Sequence, residues 1–467
     1  MSQQHSGSGA SERAPSGLTS SAESSATSER AAQEGRRRLS GGAQRPDRRR
    51  VVVTGVGVVA PGGVTRDQFW DTLTAGRTAT RKITFFDASK FRSRVAAEAD
   101  FDPLAAGLTA QEIRRADRYV QFGLACAAEA LAESGLELTE EVLENTGVVM
   151  GSAVGGTMAL EDEYVAVSNT GQEWLVDHTF GGPFLYQALI PSSLAGDIAH
   201  RYGTHGPTQV VSTGCTSGID AIGYAMQLVQ DGEADVIIAG ASDSPISPVT
   251  VSSFDAIKAT TPENHDPEHA SRPFDATRKG FVMGEGGAVL ILEELEHAKA
   301  RGAKIYCEVT GYASRSNGFH MTGLRPDGLE MAEAIRVSLD QGRTNPTDVG
   351  YICAHGSGTK QNDRHETAAF KRSLGHHAYR TPVSSIKSMI GHSLGAIGAI
   401  EMAACALTID RSAIAPTANW SQRDPECDLD YTPNTAREAK VDVALSVGSG
   451  FGGFQSAMVF SRLKEAA

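Results

Sequence analysis

The segment Ser212-Thr-Gly-Cys-Thr-Ser-Gly-Ile-Asp-Ala221 sets one thiol, Cys215, where a strand turns sharply into a helix. The preceding run, Gly206 to Val211, closes in β-branched residues. The following run, Gly218 to Val229, has helical spacing with small residues along one face. Gly214 permits a tight turn that a side chain would obstruct. Cys215 is thereby expected at a helix N-terminus, where unpaired N–H groups and the helix dipole favour the thiolate. The thiolate is the nucleophilic form, so a covalent thioester could be built here. A buried structural cysteine is the other reading of such a thiol.

Two histidines stand at comparable junctions. His355 lies in Cys353-Ala-His-Gly-Ser-Gly-Thr-Lys360, at a strand end within a glycine-rich loop. His392 lies in Ser385-Ile-Lys-Ser-Met-Ile-Gly-His-Ser-Leu-Gly395, at a helix start. A lone histidine is more often structural, but a pair at such strand-to-helix junctions points to chemistry. Lys387 precedes His392, while Asp363 and Glu366 follow His355. These charges are expected to fix imidazole orientation and protonation through charge-assisted hydrogen bonds. An ordinary buried ion-pair network would use the same residues.

A third piece is Gly448-Ser-Gly-Phe-Gly-Gly-Phe454, where Gly450 and Gly452 let the backbone approach a ligand closely. A backbone N–H from this loop, paired with that of Cys215, would form an oxyanion hole for a thioester carbonyl. The chain has no GxxxxGK[ST] signature, so a phosphate-cradling P-loop is excluded.

The elements that must carry these residues recur in order. Arg50-Val-Val-Val-Thr-Gly-Val-Gly-Val-Val59 is matched by Ile305-Tyr-Cys-Glu-Val-Thr-Gly-Tyr312, and Gly147–Ser152 by Gly350–His355. The helix after Cys215 is matched by Gly391–Glu401, and Asp235–Ser242 by Val443–Ser449. This order predicts an internally duplicated α/β body, with strands alternating with helices in each half. The expected halves are residues 49–303, carrying the thiol, and 304–463, carrying both histidines. Insertions around residues 158–195 and 245–275 are candidates for a cap or a subunit contact.

Composition sets the frame. A net charge of −13 argues against nucleic acid as the main partner. Six cysteines, at 126, 215, 307, 353, 405 and 427, show neither metal-ligand nor disulfide spacing, which predicts reduced thiols in a cytoplasm. No apolar run reaches the length of a membrane span. Residues 1–48 hold few large apolar residues and read as a disordered, solvated tail without the apolar core of a secretory signal. Nine arginines against five acidic residues give residues 1–50 a charge of +4, so the remainder carries about −17.

Taken together, the cysteine elbow, His-Gly-x-Gly-Thr, Ile-Lys-x-x-x-Gly-His-x-x-Gly-Ala and Gly-Phe-Gly-Gly resemble a β-ketoacyl synthase of the thiolase superfamily over residues 49–463. Asp266-Pro-Glu-His-Ala-Ser-Arg-Pro-Phe-Asp275, Gln361-Asn-Asp-Arg-His-Glu-Thr367 and Asp424-Pro-Glu-Cys-Asp-Leu-Asp-Tyr431 narrow the resemblance to the ketosynthase α-subunit of type II polyketide synthases. Cys353, where Asn is usual, and the long N-terminal tail depart from that pattern.

The resemblance implies an αβαβα layered fold and decarboxylative Claisen condensation of malonyl-acyl carrier protein with a Cys215-bound acyl chain. By it, His355 and His392 assist decarboxylation and stabilise the enolate, and Lys387 and Glu366 hold the network, with weaker support from Asp363 and Glu401. Phe451 gates the channel and supplies an oxyanion N–H, and Ser357 and Thr359 meet the pantetheine arm. The implied partners are a homologous chain-length-factor subunit and an acyl carrier protein, with no nucleic acid, membrane, metal or bound cofactor. A homodimeric fatty-acid-elongating synthase shares the chemistry, and a silent partner subunit shares the fold. Arg114 and Arg115, in the helix that Thr109 and Glu112 would cap, are the expected basic contacts for an acidic carrier protein.

Overall fold

Val51–Val59 is buried along its whole length, as a β-branched strand covered on both faces must be. The computed structural model describes residues 48–172, 179 and 181–464, so the reading of residues 1–47 lies outside the described residues. Among the described residues, ten strands form the main sheet. The first five are β1 (Val51–Val59), β2 (Thr146–Gly151), β3 (Thr208–Val211), β4 (Val236–Asp243) and β5 (Gly286–Glu294). The second five are β6 (Cys307–Ser316), β7 (Tyr351–Cys353), β8 (Val383–Ser384), β9 (Val443–Gly450) and β10 (Phe454–Ser461).

Their order across the sheet is β8-β7-β9-β10-β6-β1-β5-β4-β2-β3. Within each set of five, the first strand is antiparallel to the last, and the last is antiparallel to the fourth. The fourth, second and third then run parallel. The sets join where β1 meets β6, at Val52↔Glu308 and Val53↔Cys307.

The duplication reaches single residues. Val53-Thr-Gly55 in β1 and Val309-Thr-Gly311 in β6 each skip one residue of register at the threonine. The glycine that follows lets a helix lie directly on the strand. A Cβ at Gly55 would sit 2.1 Å from the Ala130 carbonyl oxygen, and one at Gly311 2.0 Å from that of Ser338. Those helices are α1 (Arg118–Ser134) and α3 (Leu329–Gln341); with α4 (Lys360–Leu374), they cover the outer faces of the two halves. Between the halves lie α2 (Ser217–Asp231) and α5 (Ile397–Arg411), inside the largest apolar cluster. The layers are therefore αβαβα.

Small residues bring the starts of α2 and α5 almost into contact. A Cβ on Gly218 would stand 2.3 Å from the Ala399 nitrogen, and one on Gly398 2.7 Å from that of Ile219. Backbone that close leaves no room for any side chain. This approach carries the loop before α2 and the loop before α5 to one place.

The inserted segment after β4 contributes a helix, Pro248–Ala256, whose Phe254 faces the cavity described below. The earlier insertion forms helices at Thr157–Val167 and Leu185–Leu189, with Tyr186 and Leu189 exposed.

Candidate active site

β3 ends at Val211, and Gly214 (φ +61°) turns the chain into a short 3₁₀ segment, Gly214–Thr216, before α2 begins. Buried Asp220, one turn into α2, holds this elbow. Its carboxylate accepts from the Thr213 and Thr216 hydroxyls on its own segment, and from Tyr312 and Ser456 on β6 and β10. Cys215 is only partly buried, whereas the other five cysteines are fully enclosed.

The thiolate expected from the helix terminus is not the resting form. Burial pushes the Cys215 thiol up to about 11, against opposing pulls from Lys387 and from the backbone N–H groups of Phe451 and Cys215 itself. A 3₁₀ turn intervenes before the helix, and desolvation outweighs whatever the terminus supplies. The backbone N–H groups of Phe451 and Cys215 thus both act on the sulfur, one from the glycine-rich loop and one from the elbow. An alkylating reagent should therefore modify Cys215 ahead of the other five thiols, at a rate still climbing above pH 9. A rate that levels off near neutral pH would show a preformed thiolate.

His355 follows β7 by two residues, and its loop is fastened through backbone atoms. Glu366 on α4 accepts from the N–H of His355 (2.7 Å) and of Gly356 (2.6 Å), and from the Asn362 amide (2.7 Å). Burial, then the nearby Asp363, pushes Glu366 up to about 8. Lys387 donates to the His355 carbonyl and to Glu401, both within the core. Glu366 and Lys387 thus hold the histidine's main chain and not its ring. Asp363 does not reach the histidine, which corrects the sequence expectation. It accepts from the Phe274 N–H (2.7 Å) and the Gly358 N–H (3.2 Å) and pairs with buried Arg278 (3.1 Å).

Gly391 (φ +68°) bends the chain ahead of His392, whose N–H donates to the Val282 carbonyl (2.8 Å) while its own carbonyl accepts from Gly284 (2.9 Å). The two imidazoles meet edge to face, with centroids 5.1 Å apart. Each is 3 % exposed, and neither Nδ1 has a hydrogen-bond partner among the described residues. Burial, reinforced by the Lys387 ammonium, holds both well below the ordinary imidazole value, and His392 adds to the effect on His355. Both rings are therefore neutral at physiological pH.

Cys215, His355, His392, Phe451, Ser357, Thr359 and Gly450 line one cavity of about 560 Å³. Ser357 and Thr359 hydroxyls lie 3.0 Å apart, and the Thr359 hydroxyl also caps α4. A Cβ at Gly450 would come within 3.3 Å of the Cys215 nitrogen, so a side chain there would press on the elbow. Phe451 is 37 % exposed and stacks on Phe254 at 6.1 Å. Gly452 departs from expectation: it does not line the cavity, and its N–H donates to the Met321 carbonyl at 2.6 Å. Its left-handed φ of +94° bends the loop that carries Phe451.

The Thr109–Glu112 capping box forms as expected over the helix Ala110–Arg115. Arg115, however, pairs with Asp197 at 3.1 Å and is mostly covered, so it ties this helix to its neighbour. Arg118 is likewise committed, to Glu285 at 2.8 Å. Only Arg114 of the expected pair is exposed. Sequence reasoning also missed Asp243, at the end of β4. It accepts from the Ser152 hydroxyl (2.6 Å) and from the N–H groups of Ala153 (2.8 Å) and Gly395 (2.8 Å), stitching the first half to the loop after His392. A carboxylate closing a buried β-branched run was the available signal. Among the described residues no group of His, Cys, Asp and Glu could hold a metal ion, and no helix is long and apolar enough to cross a membrane.

A thiol elbow and two neutral histidines, brought together by duplicated α/β halves, define a thiolase-fold site for acyl-thioester chemistry. The chain belongs to the β-ketoacyl synthase family of condensing acyltransferases: residues 48–298 match the model of its N-terminal domain and residues 306–421 that of its C-terminal domain. It is 60% identical over 417 residues, 89% of this chain and 98% of the relative, to the tetracenomycin polyketide synthase ketoacyl synthase alpha subunit of Streptomyces glaucescens. Among solved structures, one is a type II polyketide synthase acyl-carrier protein in complex with its ketosynthase bound to the hexaketide. It is 37% identical with a TM-score of 0.84, covering 90% of this chain and all of that one (100%). The ishigamide ketosynthase/chain length factor is 32% identical with a TM-score of 0.81, covering 89% and 100%.

Proposed function

We propose that this chain is the ketosynthase α-subunit of a type II polyketide synthase, with Cys215 as nucleophile and His355 and His392 as the decarboxylating pair. The observation that carries the reading is the single cavity shared by the elbow thiol and two neutral imidazoles. In the first half-reaction the Cys215 sulfur attacks a carrier-bound thioester. Its C–S bond forms as the carrier's C–S bond breaks, and the thiol proton passes to the departing pantetheine sulfur. The N–H groups of Phe451 and Cys215 stabilise the tetrahedral oxyanion.

In the second half-reaction malonyl-carrier protein loses its carboxylate as CO₂, leaving an enolate whose oxygen accepts N–H bonds from His355 and His392. Neutral imidazoles suit this step, since they donate without requiring a charged ring in a desolvated pocket. The enolate carbon attacks the Cys215 thioester, the carbonyl re-forms, and the Cys215 sulfur leaves and takes a proton from solvent. Lys387 and Glu366 act through the His355 backbone and keep the ring on target. Ser357 and Thr359 offer hydroxyls to the amides of the incoming pantetheine arm. Phe451, stacked on Phe254, closes the acyl channel.

The natural partner is a homologous chain-length-factor subunit. The end strand β3 offers an unpaired edge among the described residues, beside Gln187 and Ile190, and such an edge invites pairing. Six free thiols fit a reducing cytoplasm. Reconstitution tests the reading. With the homologous subunit and malonyl-carrier protein, the chain should release CO₂ and yield an unreduced polyketide. Efficient two-carbon extension of fatty acyl carriers by the chain alone would favour the fatty-acid synthase instead.

A further inference from the structure

We infer that Asp220 is a positioning residue for the acylation half-reaction alone. It holds the Cys215 and Phe451 N–H groups, the oxyanion donors of the proposed mechanism, at a fixed separation, and the histidine pair does not depend on it. This rests on the condensing function proposed above. The carboxylate is 4 % exposed and divides its oxygens between the two halves of the chain. Oδ2 accepts from the hydroxyls of Thr213 (2.5 Å) and Thr216 (2.8 Å), which flank Cys215 on either side. Oδ1 accepts from Tyr312 (2.9 Å) on β6 and from Ser456 (2.5 Å) on β10. Four hydroxyls thus satisfy one carboxylate, as burial of a charge requires.

Ser456 pairs with Gly448 in the β9–β10 hairpin, and the tip of that hairpin carries Phe451. The hairpin lies directly on the elbow. A Cβ at Gly448 would stand 2.7 Å from the Ile219 side chain, and one at Gly214 3.3 Å from the Phe451 carbonyl oxygen. Tyr312 reaches Asp220 across Gly223, where a Cβ would meet its ring at 2.4 Å. The two N–H groups that act on the sulfur are therefore carried by segments that one carboxylate ties together. An oxyanion is stabilised fully only when both donors reach it at once, so slack between the segments lowers the rate and not the binding. The imidazoles are placed by other contacts. Glu366 and Lys387 hold the His355 main chain, and Val282 and Gly284 hold that of His392.

The test uses the chain assembled with its homologous subunit. Asp220→Asn should slow acyl transfer from the carrier to Cys215 about 10²-fold, in kcat and not in KM. Tyr312→Phe, which removes one hydroxyl and keeps the ring against Gly223, should slow it about tenfold. Release of CO₂ from malonyl-carrier protein by the unacylated enzyme depends on the histidines, and should stay within about twofold in both variants. Decarboxylation lost in the same proportion as acylation would overturn the inference, because general damage to the fold acts on both. Acylation left within about twofold by Tyr312→Phe would overturn it too, and decides the matter even where Asp220→Asn fails to fold. Failure of the unmodified enzyme to acylate Cys215 or to release CO₂ would instead defeat the condensing function on which it rests.

Discussion

Cys215→Ala is expected to abolish acyl transfer and condensation, by on the order of 10⁵–10⁶-fold, the scale on which loss of a covalent nucleophile acts. No other thiol can substitute, because the remaining five are buried. The fold should survive, since the elbow is held by Asp220 and by the 3₁₀ turn and not by the sulfur. Removing one sulfur from a partly buried residue costs about 1 kcal/mol or less. Rate, thermal midpoint and association with the partner subunit can be followed on the same preparation. Chain extension by the alanine variant at more than a trace would refute the assignment of the nucleophile.

The second large effect concerns the histidines. His355→Ala and His392→Ala should each lower decarboxylation and condensation by about 10²–10³-fold, the usual consequence of losing one preorganised N–H donor. Acylation of Cys215 should persist in part. Alanine leaves a void in a buried site, so His392→Gln, which keeps an N–H near the same place, separates chemistry from packing; it should recover part of the rate. Both rings are held well below the ordinary value, so their neutral form persists into acid. The acid limb of the condensation profile should accordingly lie below about pH 6.5, the unperturbed imidazole value. A limb centred at or above that value would mean that the rings are not desolvated as the geometry requires.

Much of this was legible in residue order. The Val-Thr-Gly repeats in β1 and β6, the elbow glycine and the two histidine junctions each state a local backbone demand, and local demands are what a sequence displays. The resting state of Cys215 was not legible. Helix position and burial push a thiol in opposite directions, and burial becomes known only when Lys387, Phe451 and the surrounding layers are in place. The same holds for the charges around His355. Asp363 and Glu366 both follow His355 closely in sequence, yet one turns toward Arg278 and the other toward a loop backbone. Arg114 and Arg115 are neighbours in sequence, and only the fold shows that Asp197 claims the second. Gly452 illustrates the converse, a glycine needed for its φ and not for ligand contact.

In the proposed mechanism the elbow thiol carries the growing chain while the two imidazoles generate the enolate that attacks it. Mass spectrometry of the enzyme after brief mixing with an acyl-carrier protein tests it most directly. The acyl mass should appear on the peptide containing Cys215 in the unmodified chain and in His355→Ala. Addition of malonyl-carrier protein should then clear it rapidly only from the unmodified chain, with release of CO₂ and an acyl group two carbons longer on the carrier. An acyl group on any other residue, or equal clearance from the His355→Ala enzyme, would rule out this division of roles between Cys215 and the histidines.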